Sequence, residues 1–265
     1  MKKITLGTRV KQTVLAIAIG VASNLVMAAD VHVVSSGGFA AAYKALAPGF
    51  EQQTGHKLIS AWGPSMGQTK EAIPNRLDRG EKIDVVIMVG DSLQLLIDQG
   101  KVSKTDHELL ALSRIGMAVK AGAPQPDIST VEALKTTLLN AKSIAYSDSA
   151  SGVYLSTVLF KRLGIEEQMK DKARMIPGDP VGQIVARGDA EIGFQQISEL
   201  KPVTGIDIVG PIPDSAQQIT PFSAGIVANT AEPAAAKALI DYLASPTATE
   251  IIKSTGLDPA PHKNK

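Results

Sequence analysis

Strand-like and helix-like segments alternate along almost the whole chain, and this alternation is the feature that most limits its fold. Short apolar runs at 31–34, 57–62 and 84–89 are each followed by residues whose apolar positions recur at helical spacing. After the break A-G-A-P-Q-P-D at 121–127, a second alternating set follows and includes the strand-like run S-I-A-Y at 143–146. The pattern predicts an α/β protein with parallel strands in each half of the chain.

Two such sets predict two lobes joined by a hinge. We expect residues 113–120 to cross from the first lobe to the second and residues 221–228 to return. The predicted first lobe then comprises residues 29–112 and 229–265, and the second comprises residues 113–228, including the hinge strands. Pro48 lies inside the first predicted helix, and because proline removes a backbone donor, we expect that helix to break or kink there.

Residues 1–28 have the pattern of a secretory signal peptide. Four Lys or Arg residues precede an apolar stretch, and V-M-A provides a small-residue cleavage pattern that ends at Ala28. The apolar core is shorter than the ~20 residues of a spanning helix, which argues against the alternative of a membrane anchor. We therefore expect a periplasmic protein that begins near Ala29.

The composition of the remaining chain excludes several classes of function. The whole sequence has 27 Lys and Arg and 26 Asp and Glu; four basic and no acidic residues lie in the leader, which leaves 23 against 26, a net charge of −3. This balance, with 4% aromatic residues, gives no electrostatic basis for binding nucleic acid. Because the chain has no cysteine, disulfides, thiolate catalysis and cysteine-ligated metals are excluded.

Four strand-to-helix junctions are polar, and three of them are short loops rich in Ser and Gly. Ligands of open α/β sheets bind beyond the carboxyl ends of strands, where exposed helical N–H groups and hydroxyls can hold an anion. A serine at a helix start is most often only an N-cap, but recurrence in both halves of the chain favours an anion site. The junctions are S-S-G-G at 35–38, G-P-S-M-G at 63–67, S-D-S-A-S-G at 147–152, and Gln195-Gln196.

Three basic residues are candidates to contact that anion. Arg114 lies in an otherwise apolar strand-like segment, where an unpaired charge is costly to bury. It therefore pairs either with a carboxylate of the chain or with a ligand carboxylate in the cleft, and we favour the ligand. Arg76 and Lys70 lie on the interrupted helical segment after Ser65, and for Lys70 a solvated helix face is the better interpretation.

The stretch G-P-S-M-G fits the G-x-S-x-G pattern of a serine hydrolase elbow, with Ser65 as the nucleophile. That chemistry needs a downstream histidine as a base. The downstream histidines, His107 and His262, lie in charged and terminal segments, and His32 precedes Ser65 inside a valine-rich strand. No metal-ligand spacing such as H-E-x-x-H is present. Ser65 is therefore interpreted as a hydroxyl donor to a bound anion.

The order of several motifs resembles that of the periplasmic solute-binding proteins, nearest to the molybdate-binding-protein-like branch. The motifs are L-A-P-G-F-E-Q-Q-T-G-H-K-L-I, D-V-V-I-M-V-G, G-V-Y-L-S-T-V-L-F-K-R-L-G, V-A-R-G-D-A-E-I-G-F and Y-L-A-S-P-T-A-T-E-I-I-K-S-T-G. The resemblance covers nearly all the mature chain. It implies an α/β fold of the two-lobe periplasmic binding protein type (type II), hinged, with a ligand cleft between the lobes, and a monomer.

The resemblance to molybdate binding itself is partial. The branch carries a serine in its first ligand loop where this chain has Gly38, and its late tyrosine falls near Gln195. A larger polycarboxylate anion, with Arg114 and Arg76 as bidentate partners, suits these departures better. The stretches V-V-S-S-G-G-F-A-A-A-Y-K-A-L, W-G-P-S-M-G, A-Y-S-D-S-A-S-G and I-G-F-Q-Q are similar to a group of periplasmic enzymes within the branch, the aconitate isomerases.

Two classes of function therefore remain open. One is an isomerase that moves the double bond of a tricarboxylate, without a cofactor or metal. The other is the solute-binding receptor of a transporter, which delivers a small oxyanion or polycarboxylate to a membrane permease. For the isomerase, the candidate bases near the loops are Asp148, Lys70 and Tyr146. Asp148 has the best position of the three, although a role as a loop cap is the better explanation for it. The predicted binding residues are Ser35, Ser36, Gly37, Gly38, Ser65, Met66, Arg76, Arg114, Ser149, Ser151, Gly152 and Gln195.

Overall fold

A computed structural model describes residues 28–261 of the chain. The signal peptide predicted over residues 1–28 falls, except for Ala28, outside the described residues, and so does His262. Within residues 28–261, no helix is both long enough and apolar enough to span a lipid bilayer.

Six strands form the first sheet, in the order β11-β4-β10-β3-β1-β2. Strand β1 pairs in parallel with β2 and β3, whereas β10 pairs antiparallel with β3 and β4. The parallel strands therefore end at the same edge of the sheet. The strands are β1 (Asp30–Ser35), β2 (Lys57–Trp62), β3 (Val85–Val89), β4 (Val102–Ser113), β10 (Thr220–Val227) and β11 (Asp258–Pro259).

Five strands form the second sheet, in the order β7-β6-β8-β5-β9. Strand β6 pairs in parallel with β7 and β8, and β5 pairs antiparallel with β8 and β9. The strands are β5 (Ile115–Lys120), β6 (Ile144–Ser147), β7 (Ala173–Ile176), β8 (Ile192–Gln196) and β9 (Ile206–Pro211).

Helices cover both faces of each sheet. Those of the first lobe are α1 (Gly37–Thr54), α2 (Ile73–Asp78), α3 (Gly90–Asp98), α10 (Pro233–Leu243) and α11 (Thr249–Ser254). Those of the second lobe are α4 (Val131–Asn140), α5 (Ala150–Tyr154), α6 (Phe160–Arg162), α7 (Glu166–Met169), α8 (Val181–Arg187) and α9 (Ile197–Leu200). A π-helical turn, Leu155–Leu159, joins α5 to α6, and 3₁₀ turns lie at Asp214–Ala216 and Pro246–Ala248.

Apolar side chains on both faces of each sheet form the cores. On one face of the first sheet, Phe39 and Phe50 of α1 pack with Leu239 of α10. On its other face, Ile73 of α2 and Leu93 of α3 pack beneath the sheet. The second sheet is covered in the same way by α4 to α7 on one face and by α8 on the other. Burial on both faces explains why the central strand β3 is a continuous apolar run in the sequence.

The chain passes between the two sheets at Arg114, the single residue between β4 and β5. Most of the predicted crossing strand 113–120 is therefore β5 of the second sheet, and only its first residue, Ser113, belongs to β4 of the first sheet. The returning strand β10 pairs along its length with β3 and β4 of the first sheet. The boundaries of the two lobes stay a prediction.

Two elements differ from what the sequence pattern indicates. Helix α1 runs without interruption through Pro48 to Thr54, so the chain does not break there. Strand β4, with twelve residues, begins well before the crossing segment. It was missed because V-S-K-T-D-H-E is charged; the structure leaves this part of the strand largely exposed, so its polar residues face solvent.

Candidate functional site

A cavity of about 500 Å³ lies between the two sheets. It is bordered by the carboxyl ends of parallel strands from both sheets, the position where open α/β sheets bind ligands. Its size is in the range of small-molecule binding sites. The lining residues are Ser36, Gly37, Gly38, Trp62, Gly63, Pro64, Ser65, Thr69, Glu71, Val89, Ser147, Asp148, Ser149, Ala150, Gly178, Asp179, Pro180, Gln195, Gln196, Glu199 and Phe222.

Helix α1 begins at the wall of this cleft. Its N-cap, Ser36, has an extended backbone and makes no side-chain capping bond. The Ser36 Oγ atom is buried and has no hydrogen-bond partner within residues 28–261. The first N–H groups of an 18-residue helix and a free hydroxyl therefore face the cleft together, an arrangement that favours an anion. Ser35, which precedes Ser36, is fully buried and donates to the Ser36 carbonyl oxygen at 3.1 Å, so it supports the turn without lining the cleft.

Ser65 lies on the loop that follows β2. The Val89 backbone N–H donates to Ser65 Oγ at 3.0 Å, and Ser65 is almost completely buried. Its hydroxyl hydrogen remains available to donate into the cleft. No histidine of the described chain lines the cleft, so a Ser-His pair is not formed around Ser65. Its neighbour Met66 is half-buried and lies outside the lining.

Three serines lie close together at the C-terminal end of β6 and in the turn that follows it. The Ser147 hydroxyl is 2.9 Å from that of Ser149 and 3.0 Å from that of Ser151. Gly152 is required in this turn, because a Cβ atom there would collide with the Ser147 carbonyl group. Ser149 and Asp148 line the cleft, whereas Ser151 and Gly152 are buried behind it and hold the turn. The Gly178 N–H donates to Asp148 Oδ2 at 3.2 Å.

The end of β8 adds three polar side chains to the cleft. The Val181 N–H donates to Gln195 Oε1 at 3.0 Å, which orients the Gln195 amide with its NH₂ group free to donate elsewhere. The Gln196 side chain donates to Thr220 Oγ1 at 3.0 Å, away from Gln195. The third polar side chain is Glu199.

Glu199 was not identified from the sequence. Burial raises its pKa to about 7, against the lowering effect of hydrogen bonds from the Gln195 side chain and the Gln196 backbone, and Asp148 raises it further. Its Oε2 atom is buried without a hydrogen-bond partner among residues 28–261. A sequence signal did exist, since I-S-E-L directly follows the polar end of a strand, but a lone Glu there matches no motif.

The three basic residues expected at the site do not line the cleft. Arg114 forms ion pairs with Asp214 at 2.5 Å and with Asp258 at 3.4 Å. In this structure its partners are therefore carboxylates of the chain, the alternative to the ligand carboxylate that we favoured from the sequence. Because it is the link between β4 and β5, it is half-exposed rather than buried in a strand. Because this position is partly solvated, the cost of burying an unpaired charge does not decide the partner of Arg114.

Arg76 and Lys70 are also engaged elsewhere. Arg76 forms an ion pair with Glu81 at 2.5 Å and donates to the carbonyl oxygens of Glu71 at 3.0 Å and Trp62 at 3.2 Å. These contacts stabilise the loop between β2 and α2. Lys70 is highly exposed and lies 3.6 Å from the Glu71 carboxylate, which matches the solvated-face interpretation. Neither is placed to contact a ligand carboxylate in this conformation.

Tyr146, one of the three candidate bases, packs edge-on against Phe160 within the second lobe, with 6.2 Å between ring centroids. It does not line the cleft. Of the three, only Asp148 does. Tyr146 and Lys70 lie outside the lining for a shared reason, because closeness to a loop in sequence does not determine the direction of a side chain.

Acidic rather than basic side chains line the cleft. They are Glu71, Asp148, Asp179 and Glu199. Helical and loop N–H groups and hydroxyls are thus the available donors to an anion, and protonation of a lining carboxyl would reduce repulsion. Lys44 lies outside the lining, 4.5 Å from the ring of Trp62, which does line the cleft.

Comparison with known proteins supports the fold and places the chain among named relatives. Residues 31–258 match the family described as bacterial extracellular solute-binding protein. An aconitate isomerase from Pseudomonas sp. is 54% identical over 229 residues, which cover 86% of this chain and 87% of that one. A molybdate-binding protein from Azotobacter vinelandii is 28% identical over 253 residues, which cover 92% and 95%. The structure of the periplasmic molybdate-binding protein of A. vinelandii superposes with a TM-score of 0.69 at 22% identity, covering 86% of this chain and 98% of that one. The predicted two-lobe fold is confirmed.

Proposed function

This chain belongs to the family of bacterial extracellular solute-binding proteins, and we propose that within it the chain is an aconitate isomerase, which interconverts trans-aconitate and cis-aconitate. The observation that carries this proposal is the 54% identity to the Pseudomonas aconitate isomerase over 86% of the chain. Identity to the molybdate-binding relative is only 28% over a similar span, so the enzyme is the better supported assignment.

The proposed reaction is an allylic proton shift. A base removes a proton from the methylene carbon, the electron pair delocalises through the adjacent double bond onto a carboxylate, and a proton is delivered to the former vinylic carbon. The double bond moves by one position and no oxidant, reductant or water is consumed. The protein must therefore hold the carboxylates, stabilise the developing negative charge, and carry one proton.

The cleft contains groups suited to the first two tasks. The N-terminus of α1, with Gly37, Gly38 and the unpaired Ser36 hydroxyl, is the proposed site for one carboxylate. Ser65 and Ser149, on opposite sides of the cleft, are proposed to donate to the others. These donors are fixed by the fold before substrate arrives, so little reorganisation is needed as charge develops.

Localisation and partners follow from the family as proposals. The family is extracellular, and we propose that residues 1–28 direct the chain to the periplasm and are removed there. We propose a monomer whose ligand is a small polycarboxylate.

A transport receptor is the second candidate, supported by similarity to the molybdate-binding protein over 92% of the chain. In that case, the partner would be a membrane permease and the ligand would leave the cleft unchanged. The two functions differ in one observable, the chemical state of the ligand after binding.

Incubation of the purified mature protein with trans-aconitate, followed by proton NMR, separates them. The isomerase shows new cis-aconitate signals that grow in proportion to protein concentration. A protein that binds trans-aconitate in calorimetry yet forms no cis isomer is a receptor, and the enzyme assignment then fails. Molybdate in the same calorimeter tests the receptor function of the more distant relative.

A further inference from the structure

Glu199 lines the cleft, and it and its neighbour Ser198 contact the first turn of α1 in the other lobe. It lies on α9, which directly follows β8 of the second sheet. The neighbouring Ser198 hydroxyl donates to the Gly38 carbonyl oxygen of α1 at 2.7 Å, a buried bond between the lobes. The Glu199 carboxyl group packs so closely on Gly37 that a Cβ atom at that position would collide with Oε1. The carboxyl group is therefore in close contact with the first turn of α1.

One oxygen of this carboxyl group is not used by the protein. Oε2 is buried and has no hydrogen-bond partner within residues 28–261, although Glu199 lines the cleft. An unpaired buried carboxyl oxygen costs free energy, and such groups are common where a ligand or a reaction supplies the missing partner. The other oxygen, Oε1, packs on Gly37, so a substrate carboxylate bound at the start of α1 would lie beside this carboxyl group, with the adjacent methylene carbon near it.

We propose that Glu199 is the catalytic base, which takes the proton from the methylene carbon of the substrate and returns it to the other allylic carbon. This assignment rests on the proposed isomerase function. In the first step, an ionised Glu199 oxygen forms an O–H bond as the C–H bond breaks, and the electron pair moves into the allylic system. In the second, the same O–H bond breaks as a new C–H bond forms, so Glu199 ends ionised again.

The surroundings of Glu199 suit a group that must change protonation state. Burial holds its pKa at about 7, so at neutral pH both forms are populated, which is where general acid–base catalysis is most effective. Gln195 and the Gln196 N–H favour the ionised form, and Asp148 opposes it. Asp179 and Glu71 line the same cavity, and the N-terminus of α1 adds a positive potential. Asp148, the other candidate base that lines the cleft, already accepts a hydrogen bond from the Gly178 N–H.

A purely structural role is the competing explanation. Glu199 is the third residue after the N-cap Gln196, the position from which a Glu side chain reaches back to cap a helix. A capping role predicts that removing the charge destabilises α9 and disturbs the cleft as a whole. A catalytic role predicts loss of turnover with binding and folding retained.

The test is Glu199→Gln in the full mature chain, with Glu166→Gln as a matched control, an exposed glutamate of the same lobe. We expect Glu199→Gln to melt near the wild-type temperature, to bind trans-aconitate within a few-fold of wild type, and to isomerise it about 10²–10⁴-fold more slowly. Glu166→Gln should behave as wild type.

Three outcomes would contradict part of this account. Turnover of Glu199→Gln near the wild-type rate overturns the assignment of the base and leaves the isomerase function standing. If Glu199→Gln loses folding or trans-aconitate binding in parallel with turnover, the capping role is supported instead. In that case Glu199→Asp, which keeps a carboxyl group, should recover no activity. A wild-type protein that forms no cis-aconitate overturns the proposed function together with the assignment.

Discussion

The Glu199 carboxyl group of the second lobe packs directly on the Cα atom of Gly37, the first residue of helix α1 in the first lobe. This contact joins the proposed proton carrier to the proposed carboxylate site. Glycine is needed at residue 37 because of this close approach, since any Cβ atom would occupy the position of Oε1.

Gly37→Ala should therefore displace the end of the Glu199 side chain while leaving the fold intact, because a flexible side chain can move at small cost. We expect a loss of turnover of at least 10-fold, since a shift of about 1 Å at a reacting group can cost about 100-fold. Steady-state kinetics with trans-aconitate and a thermal melt measure both effects. Wild-type kcat in Gly37→Ala would contradict the proposed contact.

Gly38→Ala is the matched comparison for this variant. A Cβ atom at residue 38 would overlap the ring of Phe222, which is almost fully buried and packs in the core of the first sheet. We expect the free energy of unfolding to fall by about 1–3 kcal/mol, the usual cost of overpacking. If Gly37→Ala were destabilised as much as Gly38→Ala, its kinetic defect would reflect folding rather than catalysis.

The raised pKa of Glu199 also affects stability. The folded protein holds this proton up to a pH of about 7, whereas the unfolded chain releases it near 4.5. Between these values the native state binds more protons than the unfolded state, so this group makes stability fall as pH rises and contributes no further change above about 7. Urea unfolding of wild type and Glu199→Gln at pH 4.5, 6 and 8 should show the variant gaining relative stability with pH. A constant difference between them would contradict the raised pKa.

Arg114 illustrates how far the sequence could and could not predict the site. Its charge in an apolar segment was noticed, but the sequence does not show that β4 ends at Ser113 and β5 begins at Ile115, which makes Arg114 a link between sheets. The alternation of strands and helices did predict both sheets and the polar loops at their carboxyl ends. Loop positions such as Ser36 and Ser65 follow from that alternation, whereas side-chain directions, as at Tyr146, depend on packing that appears only in three dimensions.

Arg114→Ala should have little effect on substrate affinity. Its partners Asp214 and Asp258 are 85% and 63% exposed, so water screens the pairs, and we expect a stability loss of about 1 kcal/mol or less. Calorimetric titration with trans-aconitate should give a Kd within about 3-fold of wild type. A loss of binding without loss of stability would restore Arg114 as a ligand contact in a closed conformation.

Ser65→Ala should cost both stability and affinity. The buried Val89 N–H loses its acceptor, which is expected to lower the free energy of unfolding by about 1–3 kcal/mol, and the cleft loses a hydroxyl donor. Ser215→Ala, at an exposed position, is the control for the chemical change. A fluorophosphonate probe should leave Ser65 of the wild type unmodified; stoichiometric labelling would instead identify it as a nucleophile.

The central claim is that this cleft catalyses an isomerisation, and the approach to equilibrium from both sides tests it most directly. Separate samples of trans-aconitate and cis-aconitate, each with a catalytic amount of the mature protein, are followed by proton NMR until neither changes. The account predicts that both samples reach the same trans to cis ratio, at a rate proportional to protein concentration and about 10²–10⁴-fold slower with Glu199→Gln. Two samples that keep their starting isomers, although calorimetry shows that they bind, would contradict it.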